Sequence, residues 1–105
     1  MGLLDWLKPR GNDVDVLAAK SIKDLLALLI ERAKIFGLPT ADLNHASGFL
    51  LAKEYGLCLN TVVTQLYEYE IRIDDRYFTL IVTVAEKMNM KEESYQYIKE
   101  LISKD

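Results

Sequence analysis

Residues 53–75, KEYGLCLNTVVTQLYEYEIRIDD, hold the pattern that decides the fold, because they contain an apolar helical face, a corner and the start of another helix. Spacings of three and four, which line one side of a helix, relate the apolar residues Leu59, Val62, Val63, Leu66 and Tyr67. The valines would also suit a strand, but strand residues alternate with a period of two. The spacing therefore predicts a helix over about residues 57–70, with these five side chains facing inward.

The end of this stretch predicts a link and a new helix. Ile71, Arg72 and Ile73 alternate in polarity, which is typical of a short extended segment. Asp74 then suits a helix N-cap. Ile73 and Phe78 stand at the two positions of a hydrophobic staple around that cap. A fourth helix is therefore expected to begin here.

An apolar helix is predicted at the start of the domain. It runs from about Asp15 or Ser21 to Phe36, and Gly37 followed by Pro39 prevents its continuation. Its inward face is expected to hold Ile22, Leu25, Leu26, Leu29, Ala33 and Phe36.

The second helix is expected to begin with Thr40 as its N-cap, and Gly56 is expected to end it or to make a sharp corner. Asp42 lies in its first turn, where negative charge is favourable. Gly48 costs about 1 kcal/mol relative to alanine inside a helix, so we expect it to mark close approach by another helix. The inward side is predicted to hold Leu43, Ala46, Ser47 and Leu50, with Phe49 alongside.

Two helices are predicted after residue 73. The fourth helix should bury Phe78, Ile81, Val84, Ala85 and Met88. A last helix over about residues 91–103 should bury Tyr95, Ile98, Leu101 and Ile102. The predicted fold class is all-α, a compact single-domain bundle of four to five short helices within residues 15–105.

Residues 1–14 are predicted to be a separate N-terminal segment, either a short helix or flexible chain. Leu3, Leu4 and Leu7 would share one side of a helical turn, and Pro9 interrupts it. Six residues with one lysine are too few for stable membrane binding, so docking on the domain or fraying is favoured.

Composition excludes several classes of protein. A protein with a formal charge of −3 has no general attraction for the phosphate backbones of nucleic acids. The best candidate for a DNA-recognition helix, residues 57–70, contains no Lys or Arg. Cys58 is the only cysteine, which rules out an intrachain disulfide and a cysteine-based zinc site. The longest apolar run, residues 25–30, is too short to span a bilayer. A reducing cytoplasm is the expected location.

Catalysis, cofactors and metals are not predicted. His45 is the sole histidine, with Asp42 as its one evident neighbour, so a structural or surface role is favoured. Cys58 lies among apolar residues, where a thiol acts as a small core side chain. Adjacent carboxylates such as Glu92 and Glu93 diverge on a helix and form no acid–base pair by themselves.

The Tyr67-Glu68-Tyr69-Glu70 corner is the remaining candidate for function. Tyrosines provide rigid amphipathic contact area, and clustered carboxylates attract a basic partner. The alternative is that Tyr67 packs inward and the carboxylates form an ordinary solvated face. Composition favours this second interpretation.

Three runs resemble the MafI family of bacterial immunity proteins: EYGLCL at 54–59, LYEYEIRI at 66–73 and AEKMNM at 85–90, with Tyr77 between the last two. The resemblance covers about residues 43–102. This chain departs from the family pattern at three positions, with Cys58 in place of a small residue such as alanine, Glu70 in place of aspartate and Asn89 in place of glycine.

The resemblance implies a small cytoplasmic helical protein that protects a cell from a polymorphic toxin, including toxins of contact-dependent growth inhibition. On that basis we expect a non-enzymatic inhibitor that occludes the active site or substrate groove of a cognate toxin domain, a nuclease with a basic surface. Its expected contact residues are Glu68, Tyr69, Glu70, Asp74 and Asp75. A monomer is favoured. The alternative is a helical adaptor that self-associates.

Overall fold

The computed structural model describes residues 16–103, in which four α-helices of 12 to 15 residues precede two short 3-10 helices. The α-helices are α1 (Ile22–Phe36), α2 (Thr40–Leu51), α3 (Tyr55–Glu68) and α4 (Asp75–Lys87), and the 3-10 helices are Glu92–Ser94 and Gln96–Leu101. A helical turn at residues 16–19 precedes α1. The predicted all-α class is confirmed. The predicted N-terminal segment, residues 1–14, lies outside the described residues.

Helix α1 begins after Ser21, which decides between the two predicted starts. The Ser21 hydroxyl accepts a hydrogen bond from the Asp24 N–H at 3.1 Å, which satisfies one of the unpaired donors of the first turn. At the other end Gly37 has a φ of 111°, a left-handed conformation that glycine adopts without steric cost. The predicted glycine stop is confirmed.

All four α-helices end in the same way, with a left-handed residue followed by a six-to-one hydrogen bond. This is the Schellman motif. The left-handed residues are Gly37, Lys53, Glu70 and Asn89. After each of them the next N–H donates to a carbonyl five residues earlier, for example Ile71 to Leu66 at 3.0 Å. Glycine or asparagine suits this position, so Lys53 and Glu70 are unusual occupants.

Three predictions about α2 and its corner are wrong. Pro39, not Thr40, holds the N-cap position, because its carbonyl already accepts from the Asp42 N–H at 3.0 Å. A Cβ added at Gly48 would meet no heavy atom within 4 Å, so this glycine marks no close approach. Gly56 lies inside the first turn of α3, and the corner is made by Lys53, with a φ of 62°.

Helix α3 spans Tyr55–Glu68, two residues earlier than predicted. Four of its five predicted inward side chains are at most 1% exposed: Leu59, Val62, Val63 and Leu66. Tyr67 is 38% exposed, so its predicted inward position is wrong. It follows Leu66 by one residue, about 100° around the helix, and therefore lies at the edge of the buried face.

Helix α1 lies at the centre of the fold, because it packs against α2, α3 and α4. The Tyr77 hydroxyl of α4 donates to the Leu29 carbonyl at 2.7 Å. The rings of Tyr77 and Phe36 meet edge to face at 5.1 Å. Tyr77 and Leu80 are fully buried although neither was predicted in the α4 stripe, whereas Phe78 and Met88 are only partly buried. The contacts of Tyr77 with Leu29 and Phe36 place the start of α4 beside the second half of α1.

The predicted α-helix over residues 91–103 is wrong, since the chain forms two 3-10 helices there. Tyr95, Ile98 and Leu101 are buried as predicted. They are spaced by three, which is the period of a 3-10 helix. The chain then extends, and Ile73 donates to the Leu101 carbonyl at 3.0 Å and accepts from the Ser103 N–H at 2.9 Å. This parallel bridge also confirms the predicted extended link before α4.

The predicted N-cap of α4 is confirmed and leads to a stability prediction. Asp74 Oδ1 accepts from the Tyr77 N–H at 2.8 Å. We expect Asp74→Ala to lower the free energy of unfolding by about 1 kcal/mol, measured by urea denaturation. Asp75→Asn is the control, because it removes a nearby charge while keeping the cap. Equal losses in the two variants would contradict the capping role.

Candidate partner-binding surface

The predicted contact residues lie where α3 ends and α4 begins. Glu68 is the last residue of α3, Tyr69 caps it, and Glu70 takes the left-handed position. These three consecutive side chains are exposed, and Tyr69 retains 51% of its accessible surface. Together they form what we call the α3 corner. The structure thus brings three of the five predicted residues into one turn.

Asp74 and Asp75 belong to the start of α4 instead. Asp74 uses one carboxylate oxygen to cap the helix, so its availability to a partner is reduced. Asp75 is exposed in the first turn. Both are separated from the α3 corner by the Ile73 link, whose side chain is 1% exposed. Asp75 is therefore the more accessible of the two acids.

The α3 corner lies near the Asp42 carboxylate in the first turn of α2. Hydrogen bonding to the Asp42 carboxylate, together with its negative charge, raises the pKa of Tyr69. Asp42 Oδ2 is buried and has no hydrogen-bond partner among residues 16–103, so the interaction with Tyr69 satisfies this carboxylate only in part. Helices α2 and α3 are joined by a three-residue link and pack against each other.

A groove adjoins the α3 corner, and sequence reasoning missed it. It has a volume of about 340 Å³ and is lined by Tyr67, Glu70, Arg72, Glu100 and Leu101. We call it the Tyr67–Glu100 groove. It unites the end of α3, the link to α4 and the second 3-10 helix. The spacing that places Tyr67 beside the buried face of α3 is the one feature of the sequence that could have indicated this groove. The opposite side could not be predicted, because Glu100 is 33 positions away along the chain.

Polar and aromatic contacts hold the groove together. The Tyr67 hydroxyl donates to Glu100 Oε1 at 3.4 Å, and Arg72 Nη1 donates to the Glu100 carbonyl at 3.4 Å. The ring centroids of Tyr67 and Tyr97 lie 4.8 Å apart with an interplanar angle of 89°. This is the edge-to-face geometry that aromatic pairs prefer. The Glu100 charge is the largest cause that raises the pKa of Tyr67, followed by desolvation, the hydrogen bond to Glu100 and the charge of Glu70. Two carboxylates, Glu70 and Glu100, and one guanidinium, Arg72, therefore line the groove beside the phenol.

The two remaining chemical candidates occupy structural positions. Cys58 is fully buried, and burial raises the pKa of its thiol from 9.0 to about 11. His45 is exposed on α2 and stacks on Phe49 at 6.2 Å between ring centroids. Within residues 16–103, the acids, histidine and cysteine form no group of three or more that would hold a metal ion.

The Cys58 thiol predicts a pH dependence of stability. Because its pKa is higher in the folded chain, its stabilising contribution is complete below pH 9 and is lost between pH 9 and about 11. We expect the stability advantage of the wild type over Cys58→Ala to shrink across that range. Urea denaturation of both chains at pH 8 and pH 11 measures it, and the tyrosines shared by both chains cancel. A constant difference would contradict the prediction.

No protein-family model, curated protein or solved structure matches this chain. Among residues 16–103, the helices all lack the combination of length and apolar character required to cross a membrane. The chemistry of the α3 corner is thus the structural observation from which a function is proposed.

Proposed function

We propose that this protein is a cytoplasmic immunity protein that binds a cognate bacterial toxin domain and blocks its active site or substrate groove. The observation that supports it most directly is the α3 corner, where two carboxylates flank a half-exposed tyrosine at the end of a well-packed helix. The resemblance of about residues 43–102 to the MafI family is the other basis of this proposal.

The chemistry of the α3 corner suits a basic partner. A nuclease holds its substrate phosphates with basic side chains, and carboxylates on an inhibitor compete for the same positive surface. Complementary charge also accelerates association. Tyr69 supplies a large ring with few rotatable bonds, so ordering it on binding costs little entropy. A standard interface of about 800 Å² on each partner would extend beyond the corner to neighbouring surface.

The backbone of Glu70 offers further support. It has a φ of 51°, which costs a residue with a Cβ roughly 1–2 kcal/mol. Glycine would be favoured locally, and a non-glycine residue at such a position can reflect a functional demand on its side chain. Lys53 occupies the equivalent position after α2, with a φ of 62°, and it provides the matched comparison.

Replacing either left-handed residue by glycine should stabilise the fold, but only the replacement of Glu70 should affect binding. We expect Lys53→Gly and Glu70→Gly each to raise the free energy of unfolding by about 0.5–1 kcal/mol, because the steric relief exceeds the added chain entropy of glycine. Only Glu70→Gly should also weaken toxin binding. Urea denaturation and isothermal titration calorimetry measure the two quantities. Equal toxin affinities for the two variants would count against a contact role for Glu70.

The proposal itself is tested with the toxin domain encoded next to this gene. We expect the two proteins to co-purify after co-expression, and an excess of this protein to abolish the toxin's nuclease activity. A toxin domain that stays fully active in that excess would refute the proposal.

A second candidate, a self-associating helical adaptor, is favoured by a different observation. Leu51 is 84% exposed and Leu57 is 48% exposed, on either side of the three-residue link between α2 and α3. Exposed apolar side chains of this size can mark an interface. Light scattering on the isolated protein separates the candidates, since a stable homodimer would favour the adaptor and a monomer the toxin inhibitor.

A further inference from the structure

We infer that the Tyr67–Glu100 groove receives one arginine side chain from the surface of the partner. This inference rests on the proposed function for the identity of that partner, the toxin domain. It places a defined anchor beside the α3 corner, where the sequence predicted only a general acidic contact.

The size of the groove fits a single long side chain. Binding sites for drug-sized molecules and cofactors span about 300–1,000 Å³, and the volume here, about 340 Å³, lies at the lower limit of that range. The groove is open to solvent along the exposed side of Tyr67. A side chain projecting from another protein can therefore enter it without any rearrangement of the core.

The charges of the groove favour a cation. Two carboxylates, Glu70 and Glu100, line it together with one guanidinium, Arg72. Arg72 donates to the backbone carbonyl of Glu100, while the Glu100 carboxylate accepts a hydrogen bond from the neutral Tyr67 phenol at 3.4 Å, which is long. Glu70 and Glu100 line the same groove as the Tyr67 phenol, so both negative charges face this space. An incoming cation would offset them.

The shape of the donors selects arginine over lysine. A guanidinium is planar, forms two parallel hydrogen bonds to one carboxylate, and stacks on an aromatic face. The groove supplies the Glu100 carboxylate next to the Tyr67 ring. Cation–π attraction to this ring would add to the ion pair. A lysine ammonium would gain the charge interaction without the planar fit.

The inference is tested first without the toxin. N-acetyl-arginine amide is titrated into the ¹⁵N-labelled protein, with N-acetyl-citrulline amide as the neutral isostere and N-acetyl-lysine amide as the cationic control. We expect amide shifts centred on Tyr67, Arg72 and Glu100 for arginine, weaker shifts for lysine and none for citrulline. Equal shifts for arginine and citrulline, or arginine shifts centred elsewhere, would overturn the inference.

Variants then separate the groove from the proposed function. We expect Glu100→Gln to lower affinity for the neighbouring toxin domain about tenfold, the loss typical of one charged hydrogen bond. Glu54→Gln is the matched control, because Glu54 is exposed and lies at the opposite end of α3, roughly 20 Å along its axis. If the wild type inhibits the toxin and Glu100→Gln binds equally well, the inference fails and the proposed function stands. If the wild type does not bind the toxin at all, the proposed function fails, and the arginine titration still decides what the groove binds.

Discussion

Leu29→Ala is expected to lower the free energy of unfolding by about 2–5 kcal/mol. Leu29 is fully buried in α1, the helix that contacts the other three α-helices. The substitution removes apolar contacts and leaves a cavity that the surrounding helices fill only in part. Domains of this size are stable by roughly 5–15 kcal/mol, so the loss is a large share of the total. Urea denaturation followed by circular dichroism measures it.

Leu51→Ala is the matched control for this prediction. The same atoms are removed, but Leu51 is 84% exposed at the end of α2. We expect a change within about 0.5 kcal/mol, as for most surface substitutions. Similar losses for the two variants would mean that Leu51 is covered in solution, which light scattering would then reveal as self-association.

On the proposed function, Tyr69→Ala is expected to weaken binding of the cognate toxin domain by about 30-fold or more, which corresponds to about 2 kcal/mol. Tyrosine is among the residues that dominate protein interfaces, and Tyr69 presents half its surface between Glu68 and Glu70. The Asp42 carboxylate at the start of α2 interacts with the Tyr69 hydroxyl and raises its pKa. Surface plasmon resonance gives the affinity and the dissociation rate.

Tyr69→Phe separates the ring from its hydroxyl. It keeps the contact area but loses the interaction with Asp42. We expect a loss of affinity of a few-fold at most, and a thermal unfolding midpoint close to that of the wild type. A Tyr69→Ala variant that binds as tightly as Tyr69→Phe would show that the partner contacts another face.

Most of the fold was predictable because its signals are local. The serine and aspartate caps of α1 and α4 act within three residues, and apolar spacing defines the buried faces of α1 and α3. The errors have equally specific causes. Pro39 displaced Thr40 from the cap because its own carbonyl receives the first helical bonds. The spacing of three from Tyr95 to Leu101 indicates a 3-10 helix, and it was interpreted as an α-helical face.

The candidate surface also has a part that the sequence predicts and a part that it does not. Glu68, Tyr69 and Glu70 are predicted as contact residues because a tyrosine and clustered carboxylates suit a basic partner, and all three are exposed. The Tyr67–Glu100 groove could not be predicted, because its sides come from α3 and from the second 3-10 helix. Spacing within a helix carries no information about which distant turn packs beside it.

By itself, the sequence determined the fold class, most of the buried faces of α1 and α3 and the exposed acidic α3 corner, because helix periodicity and capping depend on residues within a few positions of each other. The tertiary structure decided where Tyr67 points and what lies beside it. The bridge between Ile73 and Ile102 brings the chain's last described turn against the end of α3. That bridge is formed by backbone hydrogen bonds, and every residue except proline has a backbone N–H to donate. No pattern of side chains in the sequence therefore predicts it.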